Sequence, residues 1–177
     1  MKTSVFKTQN CSVARALEVV GDWWTLLIIR EAIYGIQRFG EFEKGLGIAK
    51  NVLSERLAKL VETGVLERVS VPGRGNPQNY ILTEMGRELL PVVIALMQWG
   101  DRWIHGPARV PVRVLDKKNR KPVAWVQVLS AEGEPLAITD LRLAPGPGAD
   151  DIIRKRCGAI KRLRQRTNRA AEHEHRR

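Results

Sequence analysis

Lys50, Asn51, Ser54, Arg56 and Lys59 lie between Lys50 and Glu62, interleaved with Leu53, Leu57 and Leu60. The leucine spacing predicts a helix with an inward apolar side. On that reading Lys50, Asn51 and Ser54 lie opposite the leucines, on the outer N-terminal turns. Asn51 can bond adenine through two hydrogen bonds, and Lys50 suits guanine or a phosphate. Arg56 and Lys59 lie further round and suit phosphates. An ordinary solvated face is the plain alternative. The next segment favours the chemical reading. Val65–Val71 and Asn79–Leu82 have strand composition, and the loop Pro72–Pro77 between them holds Gly73, Arg74, Gly75 and Asn76. Arg74 and Asn76 on such a tip can reach a DNA backbone or a minor groove.

These residues need elements to position them. Phe39, Phe42 and Leu46 mark the inner face of a shorter helix, broken by Gly45 and Gly47, and Gly64 ends the longer one. Helix, turn, helix and basic hairpin make up the layout of a winged helix-turn-helix. Arg38, at the start of the shorter helix, can meet a phosphate or pair with Glu41 or Glu43. Upstream, Val13, Ala16, Leu17 and Val20 predict a helix over residues 12–20. Gly21 interrupts it, and Asp22 can cap the next helix. Trp23 to Tyr34 is apolar all round and reads as the central core helix. Thr83 can cap a helix to about Trp103, with Pro91 kinking or breaking it near its start. That helix has more apolar positions than one face needs, so a dimer partner is expected. Trp23, Trp24, Trp99 and Trp103 could line an effector pocket, but core or dimer packing is the expected role.

Three segments are distinguished: residues 8–106 as the winged-helix domain, 107–144 as a small β-rich extension, and 145–177 as a linker with a basic tail. The extension is expected to hold three strands, at Val110–Val114, Val123–Leu129 and Leu136–Leu143. The fold class is α+β, mainly helical. The chain carries 30 Lys+Arg against 19 Asp+Glu, a net charge of +11. Residues 151–177 hold ten of those bases and three acids, so most of the excess is in the tail. The balance favours a polyanionic partner, double-stranded DNA first. In that tail a short amphipathic helix and disorder are both open. No run of about 18 apolar residues predicts a membrane span, and the first residues have no apolar signal core. With Cys11 and Cys157 as the only cysteines, a reduced, cytoplasmic protein is expected. No phosphate loop, nucleophile with base or paired carboxylates emerges, so catalysis and cofactors are not expected. His173 and His175 make a poor metal site.

The stretch Cys11 to Arg30, with Gly21, Trp24, Thr25, Leu26 and Leu27 inside it, resembles the opening of HxlR-type transcriptional regulators. Arg38 and Phe39, then Val52 to Leu57, Gly64 to Arg68, Tyr80 to Gly86 and Leu89 to Pro91 continue the resemblance in order. It covers about residues 8–103. The resemblance implies a bacterial, nucleoid-associated winged-helix regulator, dimeric through the first helix and the long helix after the wing. It also implies that the cysteine near the N-terminus, here Cys11, can sense oxidants or electrophiles. A helix N-terminus, with Lys7 and Arg15 near in sequence, would favour its thiolate. Relatives with an extension often carry a cysteine-rich, metal-binding segment there. This chain has no cysteine between residues 12 and 156, so its extension is expected to be metal-free.

The expected function is therefore that of a homodimeric, sequence-specific DNA-binding regulator, a repressor rather than an activator, on a pseudo-palindromic operator. Two alternatives stay open: a thiol sensor working through Cys11, and a protein-interaction module that keeps the winged shape.

Overall fold

The computed structural model describes residues 9–73 and 77–160. Of these, residues 16–126 form one compact unit and residues 9–15 with 127–160 another. The helices are α1 (Ser12–Val20), α2 (Trp23–Ile33), α3 (Phe39–Leu46), α4 (Lys50–Glu62), α5 (Glu84–Arg87) and α6 (Leu90–Gly100). Strands β1 (Leu66–Ser70) and β2 (Gln78–Leu82) form the wing.

The core gathers round α2, which packs on α3, α4, β2 and α6. Ile28 and Ile29 of α2 are fully buried with Phe42 of α3 and Leu53, Leu57 and Leu60 of α4. Each such side chain removed from water contributes about 1.5–3 kcal/mol, so the predicted inner faces also fix how the helices pack. The predicted caps form. Asp22 Oδ1 accepts the Trp24 N–H at 3.0 Å, and Thr83 Oγ1 accepts the Gly86 N–H at 3.1 Å. The Thr83 hydroxyl also donates to the Gly64 carbonyl at 2.6 Å, tying the end of the wing to the turn after α4. Gly86 is buried where a Cβ would lie 2.2 Å from the Val65 carbonyl oxygen, so only glycine fits.

β1 and β2 pair antiparallel, from Leu66 opposite Leu82 to Ser70 opposite Gln78. The sequence reading missed a third piece. The Tyr80 N–H donates to the Gln37 carbonyl at 2.8 Å, and Arg38 bridges Asn79. The turn before α3 therefore lies along the wing. After the wing, the expected single helix is split. Pro91 sits in the first turn of α6, and a wider π-type turn over Asp101–His105 continues it.

The extension corrects an expectation. Among the described residues 107–144 hold no strand ladder. Two of their turns are closed by one isolated bridge each. In the first unit Val123 N–H donates to the Val114 carbonyl at 3.0 Å, and Leu115 bridges Pro122. In the second unit Leu136 N–H donates to the Val128 carbonyl at 2.8 Å, and Leu129 bridges Pro135. Proline cannot donate to a ladder, and Pro122 and Pro135 stand at the bridges themselves. The β-branched residues were a signal for extended backbone rather than for pairing. The units also divide at Val126, inside the segment expected to be one extension.

In the second unit, residues 151–160 are helical. Asp150 Oδ1 accepts the Ile153 N–H at 2.8 Å, and Asn10 Nδ2 donates to Asp150 Oδ2 at 3.3 Å. These bonds, that of Ile153 first, hold the Asp150 carboxyl below the usual carboxylate range. The cap's contribution is present above the ordinary carboxylate pKa and is lost as pH falls through the lowered value. Residues 161–177 of the tail, with Arg74 and Asn76 of the wing tip, lie outside the described residues.

Candidate nucleic-acid interface

The interface is built on α4. Helix α3 stops at Gly47, whose φ of 61° is left-handed and favours glycine. Ile48 then plugs the core at 4% exposure, and Ala49 starts α4 in extended backbone. No side chain caps that start, and its first turn holds no acid. The Leu53 N–H reaches the Ala49 carbonyl at 2.9 Å, which leaves the first-turn N–H groups at the positive end of the helix. An anion such as a phosphate is favoured there.

Around this end the expected residues fall into three groups. Asn51 and Ser54, placed outward by the leucine spacing, are exposed, and so is Lys59 further round. Lys50 is exposed too, its ammonium 3.9 Å from Glu43, a loose pair that a phosphate can displace. At about 100° per residue, the direction opposite Leu53, Leu57 and Leu60 is held by Asn51, Glu55 and Ala58. Ser54 lies about 90° to one side of it and Lys59 about 50° to the other; Lys50, expected opposite the leucines, instead lies nearer their side, at the first position of the helix.

Arg56 differs from its expected phosphate role. It is turned toward the core side, and its Nε and Nη2 meet both carboxylate oxygens of Asp22 at 3.0 and 3.3 Å. A further bond runs from Nη1 to Glu55 at 2.9 Å. Partial burial works against its charge, but these carboxylates outweigh it and raise its pKa above the ordinary arginine value. Arg56 thus ties α4 to the cap of α2. Asp22 lies 34 positions away, a pairing that helical spacing does not reveal.

Arg38 is exposed. Its backbone N–H donates to Glu41 Oε2 at 3.1 Å, and its guanidinium forms no ion pair among the described residues. The alternative of a side-chain pair with Glu41 or Glu43 is not realised. Cys11 is exposed just before α1, and Cys157 is half-buried on the 151–160 helix; both are free thiols. Two residues were missed. Glu55 holds the outward direction one turn beyond Asn51, a position the helix period could have supplied. Arg68 is an exposed cation on β1, within the Gly64–Arg68 stretch.

Among the described residues no helix is long and apolar enough to cross a membrane. Residues 19–107 match the model of a family described as HxlR-like helix-turn-helix. An uncharacterised HTH-type transcriptional regulator of Mycobacterium tuberculosis, Rv3095, is 39% identical over 137 residues, covering 77% of this chain and 87% of the relative. The solved structure of PA1607, described as a candidate transcription factor, matches with a TM-score of 0.74 at 44% identity, over 79% of this chain and 98% of that one. A second, PA1374 from Pseudomonas aeruginosa, matches with a TM-score of 0.59 at 35% identity, over 82% of this chain and 99% of that one.

Proposed function

The chain belongs to the HxlR-like helix-turn-helix family and is a DNA-binding transcriptional regulator, and from that premise we propose that it works as a homodimeric repressor on a pseudo-palindromic operator. The observation that carries the DNA contact is the uncapped N-terminus of α4, with Asn51, Ser54 and Lys50 exposed around it. In this reading Asn51 reads a base edge, while Lys50, Arg38, Lys59 and Arg68 meet phosphates. Arg74 and Asn76 approach the adjacent backbone or minor groove from the wing tip.

Dimerisation is supported by α6 and its continuation. Val92, Leu96, Trp99 and Trp103 recur at helical spacing and are 46%, 52%, 57% and 66% exposed. A continuous apolar stripe of that length is what a partner copy would cover. Two α4 helices related by a two-fold axis would enter successive major grooves about 34 Å apart. The protein would act by occupancy rather than catalysis, on nucleoid DNA in the cytoplasm.

The test is selection of bound duplexes from a random pool by the purified protein. The expected product is an inverted repeat with half-sites about one helical turn apart. Pools that stay random while the protein still retains DNA at low salt would remove sequence-specific repression.

A second reading, thiol sensing, is favoured by the exposure of Cys11. It expects Cys11→Ser to abolish the change in operator affinity produced by diamide. A variant that responds like the parent protein excludes it.

A further inference from the structure

Within the unit formed by residues 16–126, a cavity of about 500 Å³ lies between α6 and the first turn of the extension. That is within the range of about 300–1,000 Å³ that holds small organic ligands. Its walls are mostly apolar, with Ile94 and Met97 from the helix and Val112, Val123 and Trp125 from the extension.

The cavity is a built feature. The Gln98 carboxamide clamps the extension onto α6 in the manner of a strand, its Nε2 donating to the Ala124 carbonyl at 2.9 Å and its Oε1 accepting the Val126 N–H at 2.7 Å. The helix widens into a π-type turn at Asp101, and such turns recur at functional sites.

Its charge indicates the ligand. Two guanidiniums, Arg102 and Arg113, line the cavity with one carboxylate, Asp101. None of the three forms an ion pair among the described residues. Arg102 also lies over the Trp103 ring, 5.0 Å from its centre. Unpaired guanidiniums beside apolar walls complement an anion with an apolar body, and the planar fork of arginine suits a carboxylate.

We infer that this cavity is an effector site for a small apolar carboxylate, held by Arg102 and Arg113 with its hydrocarbon part against Trp125 and Met97. Its regulatory use rests on the proposed dimeric repressor, whereas ligand binding does not. Along α6 and the π-type turn that continues it, Ile94, Met97, Gln98 and Asp101 face the cavity, and Val92, Leu96, Trp99 and Trp103 lie about 180° round. A ligand that shifts or stiffens this helix therefore acts on the surface proposed to join the two copies.

The test uses the full chain and calorimetric titration with octanoate and with octanamide, which has the same chain and no charge. Octanoate should bind saturably and at least tenfold more tightly than the amide. Arg113→Ala and Arg102→Ala should each weaken octanoate at least fivefold, while Arg113→Lys, which keeps the charge and loses the fork, binds between Arg113→Ala and the parent. Low-salt binding to duplex DNA, measured in parallel, shows that each variant is folded. Equal binding of acid and amide, no binding of either, or octanoate binding that either alanine variant retains overturns the inference. Loss of DNA binding in the parent protein would instead strike at the regulator, since the octanoate titration contains no DNA.

Discussion

Arg56 and Asn51 are a little over one turn apart on α4 and do different work. Asn51 faces solvent at the open end of the helix, and Arg56 turns back to Asp22. Asn51→Ala should lower the preference for operator over random DNA by about 1–3 kcal/mol, the worth of a bidentate base contact. Non-specific binding should stay unchanged, so competition titrations with both DNAs give the readout; an unaltered ratio excludes Asn51 as a reader. Arg56→Ala should instead cost stability and leave DNA binding as it is. Its pair with Asp22 is partly exposed, which limits the loss of stability to about 1–2 kcal/mol. For a chain of this length that is a fall of a few degrees in Tm. The salt dependence of DNA binding should be unaltered, and a flattened slope would return Arg56 to the phosphate contacts. Helix periodicity could separate exposed from buried positions here. It could not show that an exposed-looking arginine had a partner at the cap of α2, because that contact exists only once the helices have packed.

At the scale of elements, legibility followed the range of the interactions. The start of α2 and the end of α4 were readable because Asp22 and Gly64 act within a turn of their own position. The wing strands were readable from composition and from the Gly/Pro tip between them. The pairing of Gln37 and Arg38 with β2 was not, since it joins residues some forty positions apart and leaves no local periodicity. In the extension the bridged turns fall between the expected strands, and their flanks were over-read as strands. A β-branched run becomes a strand only with a partner edge, and here the prolines and the Gln98 clamp supply something else. Gln98→Ala should therefore detach the turn at 114–123 from α6. The cost is two hydrogen bonds, about 0.5–1.5 kcal/mol each. Amide exchange at Val126 should quicken while that of α4 holds steady. Equal protection at Val126 in the variant would show that apolar contacts alone seat the segment.

At the scale of the whole molecule, two properties decide how DNA is held: the number of copies, and where the charge lies. Leu96 stands in the middle of the exposed stripe on α6, so Leu96→Glu would bury a carboxylate in any two-fold contact made there. Sedimentation should show a monomer, and affinity for an inverted repeat should fall toward that for a half-site. A variant that remains dimeric moves the interface elsewhere. Charge is a separate question, because seven of the eleven net positive charges lie in residues 151–177. Each phosphate that the tail neutralises adds about 0.9 to the slope of log affinity against log salt. Counterion release is blind to sequence, so removing the tail should flatten that slope and leave the selected operator unchanged. Site choice would then reside wholly in α4 and the wing. A truncated protein that selects a different site would mean that the basic segment itself reads bases, and the division between a reading helix and a holding tail would have to be abandoned.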